Sequence, residues 1–420
     1  MKSVFAANLY TNSAVSADCY MPLISGGFAL TIPTTEANAQ SKAPADGTLR
    51  NLGIYIHANT RSSTTTLYVR KNGSNTAVAV PIGAGVTGWL TDLVNSVTFL
   101  EDDLLGLFFD FTTGSGSIEF RSFSVEAEWD AGNHSILQAG DNRSGAVTGL
   151  ESTGNATTGY VYPFGSTSAL IINSLTESSV QQEIPLAATI SNMRVLVTTN
   201  ARSTDTVFTF RKNGADGAQT ITVPAGATGW FEDTSNTDTV AAGDLLAYEV
   251  ANGSGSGTLR FNAIQAQVHA DNDECFLAAT ATPGTFGNNS TNGDSYYSPA
   301  GVYRWGLTEA ELQLRIPFDC TLTRISIDSE GSKRFVTRIN GADGSLSVTV
   351  GGSAGLVINT GSDPVVAGDF LSIQRESANT TTTILRALTL VMAGPAPEDS
   401  NSNSDDPAPS GARRGIIVVT

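Results

Sequence analysis

Cysteine is scarce. The chain's 420 residues hold three, Cys19, Cys275 and Cys320, an odd number at wide spacing. They support neither a disulfide framework nor a paired Cys-x-x-Cys zinc pattern, so buried free thiols are expected. Histidine is equally scarce. His57, His134 and His269 fall at non-equivalent places with no motif around them. A triad or a metal centre needs His to converge with a nucleophile or with further ligands. No nucleophile elbow, phosphate-cradling loop or His-Glu-x-x-His run is read here, and no enzyme, metal or cofactor is expected. Charge is sparse at 15% of residues. Positive charge is sparser still, with 23 Lys and Arg against 40 Asp and Glu, a net charge of −17. That balance excludes the basic footprint of a nucleic-acid binder and opposes docking on an anionic membrane. No apolar run approaches the roughly 20 residues of a membrane span. The opening Met1-Lys2-Ser3-Val4-Phe5 is followed by mixed polar residues rather than an apolar export segment, so the expectation is synthesis in a cytoplasm.

What is present is a 40% hydrophobic complement set among Gly, Ser, Thr and Asn. A chain with many β-branched residues and little charge can bury a core, unlike a disordered one. The composition points to an all-β protein with many turns.

Internal repeats are the strongest signal. Leu67-Tyr68-Val69-Arg70-Lys71-Asn72-Gly73 recurs as Phe208-Thr209-Phe210-Arg211-Lys212-Asn213-Gly214 and as Phe335-Val336-Thr337-Arg338-Ile339-Asn340-Gly341. Trp89 and Trp230 each lie 17 positions after their Asn, and Val357 stands at that spacing in the third copy. An Asp-apolar-Leu triplet follows at Asp103, Asp244 and Asp369. Val78 and Val80, Ile221 and Val223, and Val348 and Val350 alternate with small residues, the period-2 signature of half-buried strands. On this alignment the first copy has a turn two residues shorter, with Pro81 set against Pro224. Asn-Gly supplies the positive φ angles of a tight hairpin. Each copy holds roughly eight short strands, the count of a jelly roll. The predicted fold is all-β, with three tandem jelly-roll-like antiparallel β-sandwich domains plus a C-terminal extended arm. The predicted boundaries are 1–130, 131–271, 272–394 and 395–420.

Two kinds of segment are left for recognition. Residues 141–165 and 281–305 differ between copies and carry Tyr160, Tyr162, Tyr296, Tyr297 and Trp305, candidates for surface recognition of a host glycan. Residues 395–411 have linker composition and lead into Arg413-Arg414-Gly415-Ile416-Ile417-Val418-Val419. A β-branched run after a linker reads as an arm that adds a strand to a neighbouring molecule's sheet, in preference to one that folds back on the chain's own third domain. Glu101-Asp102-Asp103 is the densest acidic cluster. Because Asp103 recurs as Asp244 and Asp369, a turn role is preferred to a calcium site. Trp89 and Trp230, repeated at one scaffold position, are read as core or interdomain packing.

The run Phe-Arg-Lys-Asn-Gly, then Val-Thr-Val-Pro-Ala-Gly, Thr-Gly-Trp-Phe-Glu-Asp and Ala-Ala-Gly-Asp-Leu-Leu, best seen at about 186–268, resembles jelly-roll domains of bacteriophage structural proteins. Those are similar in outline to complement and tumour-necrosis-factor type sandwiches. The first copy departs at Glu101-Asp102, where Ala-Gly is expected, and the third lacks the Trp and the Lys. The resemblance implies a fold and a habit of assembling about threefold axes. Triplication fits three domains of one chain around a pseudo-threefold axis, or three chains in a trimeric spike; the expectation is a homotrimer. The expected function is a structural protein of a phage particle, assembled in the host cytoplasm. It would decorate or project from the capsid and contact another virion protein such as the major capsid protein. The alternative is a tail-fibre module binding host-surface glycan.

Overall fold

The computed structural model describes residues 2–8, 14–23, 34–132, 134–140, 150–153, 157–166, 176–280, 294–302, 305–306, 308–330, 332–351, 355–376 and 384–394. The arm residues Arg413, Arg414, Ile416, Ile417, Val418 and Val419 lie outside the described residues.

The three Asn-Gly pairs fold as two-residue hairpin loops. Asn72, Asn213 and Asn340 have φ of 48°, 52° and 50°, and the glycines after them 81°, 81° and 79°. Two successive positive φ angles match the right-handed twist of the strands they join. Each Asn then ties its hairpin to the next strand. Asn72 Nδ2 donates to Asp103 Oδ1 at 2.5 Å, and its Oδ1 accepts the Leu104 N–H at 2.8 Å. Asp103 Oδ2 accepts the Leu100 N–H at 2.8 Å. Asn213–Asp244 and Asn340–Asp369 repeat the arrangement. The triplet aspartates are therefore turn locks.

The first unit contains β1 (Lys2–Asn8), β2 (Cys19–Met21), β3 (Gly47–Asn59), β4 (Thr65–Lys71), β5 (Ser74–Ile82), β6 (Gly88–Phe99), β7 (Leu104–Asp110) and β8 (Ile118–Trp129). One sheet runs β1-β8-β3-β6 and the other β2-β7-β4-β5. Sequential strands alternate between the two sheets, except at the β4–β5 hairpin, in the double Greek-key manner, so the unit is a jelly roll. The second unit repeats this order, starting from His134–Gly140 and ending on Thr258–Ala270. The third runs from Glu274–Thr280 to Ile384–Ala393. Each sandwich encloses its own apolar core, with Ile54, Phe109 and Phe123 at the heart of the first, Phe208, Tyr248 and Phe261 of the second, and Ile327, Phe335 and Leu388 of the third. The three cysteines are free and buried in these cores; burial pushes the Cys19 and Cys320 thiols up to about 12.

The register corrects one detail of the repeat alignment. Leu67 pairs with Val80, Phe208 with Ile221 and Phe335 with Val348. Val80 and Ile82, not Val78 and Val80, are therefore the equivalents of Ile221 and Val223. The first hairpin is not shorter, and Pro81 is not the counterpart of Pro224.

The first strand of every unit is buried on both faces, and this joins the units. Phe5 enters the first core, whereas Val4 enters the third. Leu137 enters the second core, whereas Ile136 packs on the first. Leu277 enters the third core, whereas Phe276 lies in the second. Each first strand thus gives alternate side chains to its own core and to the core of the preceding unit, with the third preceding the first. The three strands also touch one another. The chain closes on itself as a ring of three sandwiches about a pseudo-threefold axis. A bridge from Asn8 to Gly301 joins the first and third units into one nine-stranded sheet.

Candidate functional site

The closed ring creates three seams at quasi-equivalent positions. In each, a short strand and turn of one unit lie on the β3–β6–β8 face of the next. The short strands are Ser41–Lys42, Gln182–Glu183 and Leu314–Arg315. They pair with β7 or its counterparts, which makes Lys42, Glu183 and Arg315 equivalent.

The seam from the first unit to the second is polar and closely bonded. Arg194 is 1% exposed. Its Nη2 reaches Asp102 Oδ1 at 2.5 Å, its Nη1 donates to the Ala43 carbonyl at 3.2 Å and its Nε to Glu232 Oε2 at 3.4 Å. Lys42 pairs with Glu232 and lies 5.9 Å from the centre of the Trp230 ring. Gln265 Nε2 donates to the Lys42 carbonyl at 2.9 Å, and Ser41 Oγ to Gln138 Oε1 at 3.0 Å. Asp102 occupies φ +70°, where the other units place Gly243 and Gly368 at 99° and 101°. A non-glycine residue in this region is strained. The departure from the repeat pattern at Glu101-Asp102 is thus the partner set of Arg194, with Asn192 Nδ2 also donating to Glu101 at 3.1 Å.

The seam from the third unit to the first is more apolar. Trp89 meets Phe370 with ring centres 5.6 Å apart, and Lys2 Nζ lies 5.9 Å from the Phe318 ring centre. Asn51 Nδ2 donates to the Pro317 carbonyl at 3.4 Å. His57 Nδ1 and Arg121 Nε face Glu311 at 3.6 Å and 3.9 Å. Trp89 and Trp230 both stand at seams, the packing role read from their recurrence.

The seam from the second unit to the third pairs Glu183 with Arg324. Here the structure moves the tryptophan equivalence by one residue. Trp89 pairs with Tyr55 and Trp230 with Leu196, and their counterpart Asp328 pairs with Leu356. Leu90, Phe231 and Val357 all pack on their own cores. Leu356, not Val357, therefore stands in the tryptophan's place. A cavity of about 40 Å³ opens beside it, lined by Gln181, Gln182, Glu183, Leu245, Ser326, Asp328, Leu356, Ala387 and Thr389. Burial pushes the Glu183 carboxyl up; Arg324 and a hydrogen bond from Ser326 act against that rise.

The tyrosines read as surface platforms fall into two groups. Tyr162 is 5% exposed and Tyr297 5% exposed, so neither offers a ring face to a glycan. Tyr160 and Tyr296 are half-buried and equivalent to each other and to Tyr20, which sequence comparison missed because the flanking segments differ so widely. Each lies beside the repeated arginine, with Arg70, Arg211 and Arg338 at 5.8, 5.8 and 5.9 Å from the ring centres. Each arginine forks onto a glutamate of a 3-10 turn, Glu36, Glu177 or Glu309. The trio is a repeated structural clamp. Trp305 sits opposite Tyr297 in the strand register, and its side chain lies outside the described residues.

For the remaining chemistry, His134 and His269 are cross-strand neighbours with ring centres 4.9 Å apart, a meeting not foreseen from their spacing. The ring nitrogens of His134 face the Ala131 carbonyl and Gln267. A Gly-x-Ser-x-Gly run does occur at Gly351-Gly352-Ser353-Ala354-Gly355. It lies between the strands Ala342–Val350 and Gly355–Val365, so it lacks the strand-turn-helix setting of a nucleophile elbow. Among the described residues no group of three His, Cys, Asp or Glu is placed to hold a metal.

No protein-family model and no curated protein sequence matches the chain. Among solved structures it is similar to an archaeal-virus protein described for its triple jelly-roll fold and turret assembly. The identity is 12% and the TM-score 0.21, over 93% of this chain and 96% of that one. It is also similar to the major capsid protein P2 of bacteriophage PM2, at 10% identity and TM-score 0.18, over 65% and 99%. A third similarity is to the VP2 subviral particle of infectious bursal disease virus, at 7% identity and TM-score 0.20, over 95% and 82%. Likeness at these scores carries no argument. The jelly-roll assignment rests on the strand order described above.

Proposed function

We propose that the chain is a non-enzymatic structural protein of a virus particle, and of a tailed phage in particular. In this reading it decorates or projects from the capsid, and residues 395–420 form the arm that anchors it to another virion protein such as the major capsid protein. The observation that carries the reading is the closed interlock. Each first strand serves two cores, so the fold is organised around making one rigid threefold block from a single chain. Such a block suits a symmetric shell, where an interface must close rather than propagate. The ring already meets the threefold geometry for which a trimer of chains was expected. The building unit we propose is therefore one chain. A solution mass of one chain supports that unit, and a stable mass of three supports the spike.

The test is quantitative mass spectrometry of purified particles. A fixed copy-number ratio to the major capsid protein is expected; absence from the particles overturns the structural reading. A chain ending at Gly394 tests the arm. Loss from particles is expected, and unchanged incorporation sinks the anchor while leaving the structural role standing. The glycan-binding alternative is less well supported, because it needs free ring faces and Tyr162 and Tyr297 are buried.

A further inference from the structure

The cavity at the seam between the second and third units has the features of a built site. It lies where the other two seams hold an indole. In the first unit the Trp89 ring lies over Gly53, whose added Cβ would be 3.4 Å from Trp89 Cζ3, and beside Tyr55, with ring centres 5.9 Å apart. Ser326 and Asp328 occupy those two positions in the third unit, and both line the cavity. Leu245, the counterpart of the Phe370 that meets Trp89, forms another wall. Replacing an indole by Leu356 has therefore left space that neither unit fills.

The space is not simply apolar. Gln182, Glu183 and Thr389 are 3%, 5% and 3% exposed. Gln182 Oε1 and Nε2, Glu183 Oε2 and Thr389 Oγ1 all lack a hydrogen-bond partner. Buried polar atoms are nearly always satisfied, and several orphans around one cavity call for an occupant that satisfies them. The orphans include three acceptors, one of them a carboxylate oxygen, against the two Gln182 amide hydrogens and one hydroxyl hydrogen. Asp328, 3.9 Å from Arg386, adds a further carboxylate, and Glu183 Oε1 is already paired with Arg324, which leaves Oε2 as its orphaned oxygen. Leu245, Leu356 and Ala387 supply an apolar wall. At roughly 10–15 Å³ per water, the cavity of about 40 Å³ holds the head group of a small ligand or about three waters. The neighbouring seam shows what suits the space. There Lys42 presents its ammonium to Glu232 beside Trp230, whereas the residue equivalent to Lys42 here is the acidic Glu183.

We propose that this cavity binds a cation carried on a short apolar stem, an alkylammonium or alkylguanidinium. The head donates to Glu183 Oε2, Gln182 Oε1 and Thr389 Oγ1, and the stem lies against Leu245 and Leu356. The same chemistry comes from a free small amine or from a lysine or arginine side chain of another protein segment.

Isothermal titration of the full chain with n-propylammonium, n-propylguanidinium, 1-propanol and propionate tests the site. The same titrations on the full chain carrying Arg413→Ala and Arg414→Ala keep the chain's own arginines from masking it. Saturable binding of at least one cation is expected, with at least tenfold weaker binding of the alcohol and the anion. Glu183→Gln is expected to weaken the cation at least tenfold without unfolding the ring. Leu356→Trp, which fills the space, is expected to abolish saturation. A peptide Ala-Arg-Arg-Gly binding at least tenfold tighter than n-propylguanidinium identifies a side chain as the natural source; equal affinity identifies a free amine. No saturable binding of either cation overturns the proposal and leaves the cavity to water. Binding indifferent to both substitutions overturns it equally.

Discussion

The seam between the first and second units and the seam between the second and third are built on one scaffold and solved in opposite ways. In the first, Arg194 reaches across to Asp102 and to the Ala43 carbonyl, and Lys42 reaches Glu232. In the second, the residue equivalent to Arg194 is Ser326, the one equivalent to Lys42 is Glu183, and the charge that answers comes from Arg324, two residues earlier on the same strand. Apolar interlocking of first strands is common to all three seams and would let any unit pack beside any other. The polar partners differ at every seam, so a reversed order would bury Arg194 without Asp102 and set Arg315 where Lys42 stands. Unpaired buried charge costs several kcal/mol. The lesson is a division of labour: alternating apolar side chains close the ring, and unlike polar pairs fix the order of units within it.

Breaking the first seam should give the largest effect. Arg194→Met removes a buried cation and leaves the Ala43 carbonyl and the Glu232 carboxylate short of a donor. We expect a loss of about 3 kcal/mol in denaturant unfolding. Asp102→Gly should cost distinctly less than Arg194→Met, because glycine is at ease at φ +70° and relief of strain offsets part of the lost pair. Equal losses for the two variants would remove the argument that Asp102 accepts strain in exchange for its partner.

Next in size is Trp89→Leu, which gives the third-to-first seam the residue that the second-to-third seam already has. The indole is half-buried between Tyr55 and Phe370, so a loss of about 2 kcal/mol is expected, below the cost of removing a fully buried Trp. A loss within 0.5 kcal/mol, the scatter of about that size seen for surface changes, would mean that the tryptophans do not hold the seams. The same variant should open a second cavity, checked by a crystal structure.

How much of this was legible follows from which residues carry it. The Asn-Gly hairpins, the Asp turn locks and the triplication stood in the sequence, because they depend on local backbone conformation and recur at fixed spacing. The equivalence of Tyr20, Tyr160 and Tyr296 did not, because the segments around them differ and only their common arginine clamp relates them. Val357 was read as the tryptophan's replacement because 17 positions separate it from Asn340. One residue fewer between hairpin and strand moves that role to Leu356. The seams were not legible either: Arg194, Asp102 and Glu232 are distant in sequence, and only ring closure brings them together.

A smaller effect, of about 1 kcal/mol, separates the seam contacts from the bulge that supports them. Burial opposes ionisation of Asp233, yet hydrogen bonds from the Asn236 side chain and from the N–H groups of Thr220, Ser235 and Asn236 outweigh it and hold the carboxyl below its ordinary value. A carboxyl depressed in the folded state stabilises the fold above its unfolded pKa. That contribution is lost as pH falls through the lower, folded pKa. Asp233→Asn should therefore lower stability at pH 7 by about 1 kcal/mol and flatten the acid limb of the stability profile. An unchanged acid limb would assign acid sensitivity to the seams instead.

The smallest expected change is the most discriminating. Leu356→Trp restores at the second-to-third seam the residue found at the other two. Filling a cavity returns dispersion contacts and removes apolar surface from water, which favours the variant. Two features of the seam oppose it. Ser326 takes up room that Gly53 leaves beside Trp89, and the new indole would cover the orphaned atoms of Gln182, Glu183 and Thr389 without satisfying most of them. An indole N–H answers only one acceptor. The two contributions nearly cancel, and a change within about 1 kcal/mol of zero is expected. A gain well above that would make the cavity a packing defect. A near-zero change would show that the polar lining is costly to cover, as expected where the walls are arranged for a hydrogen-bonding occupant rather than for a side chain of the ring itself.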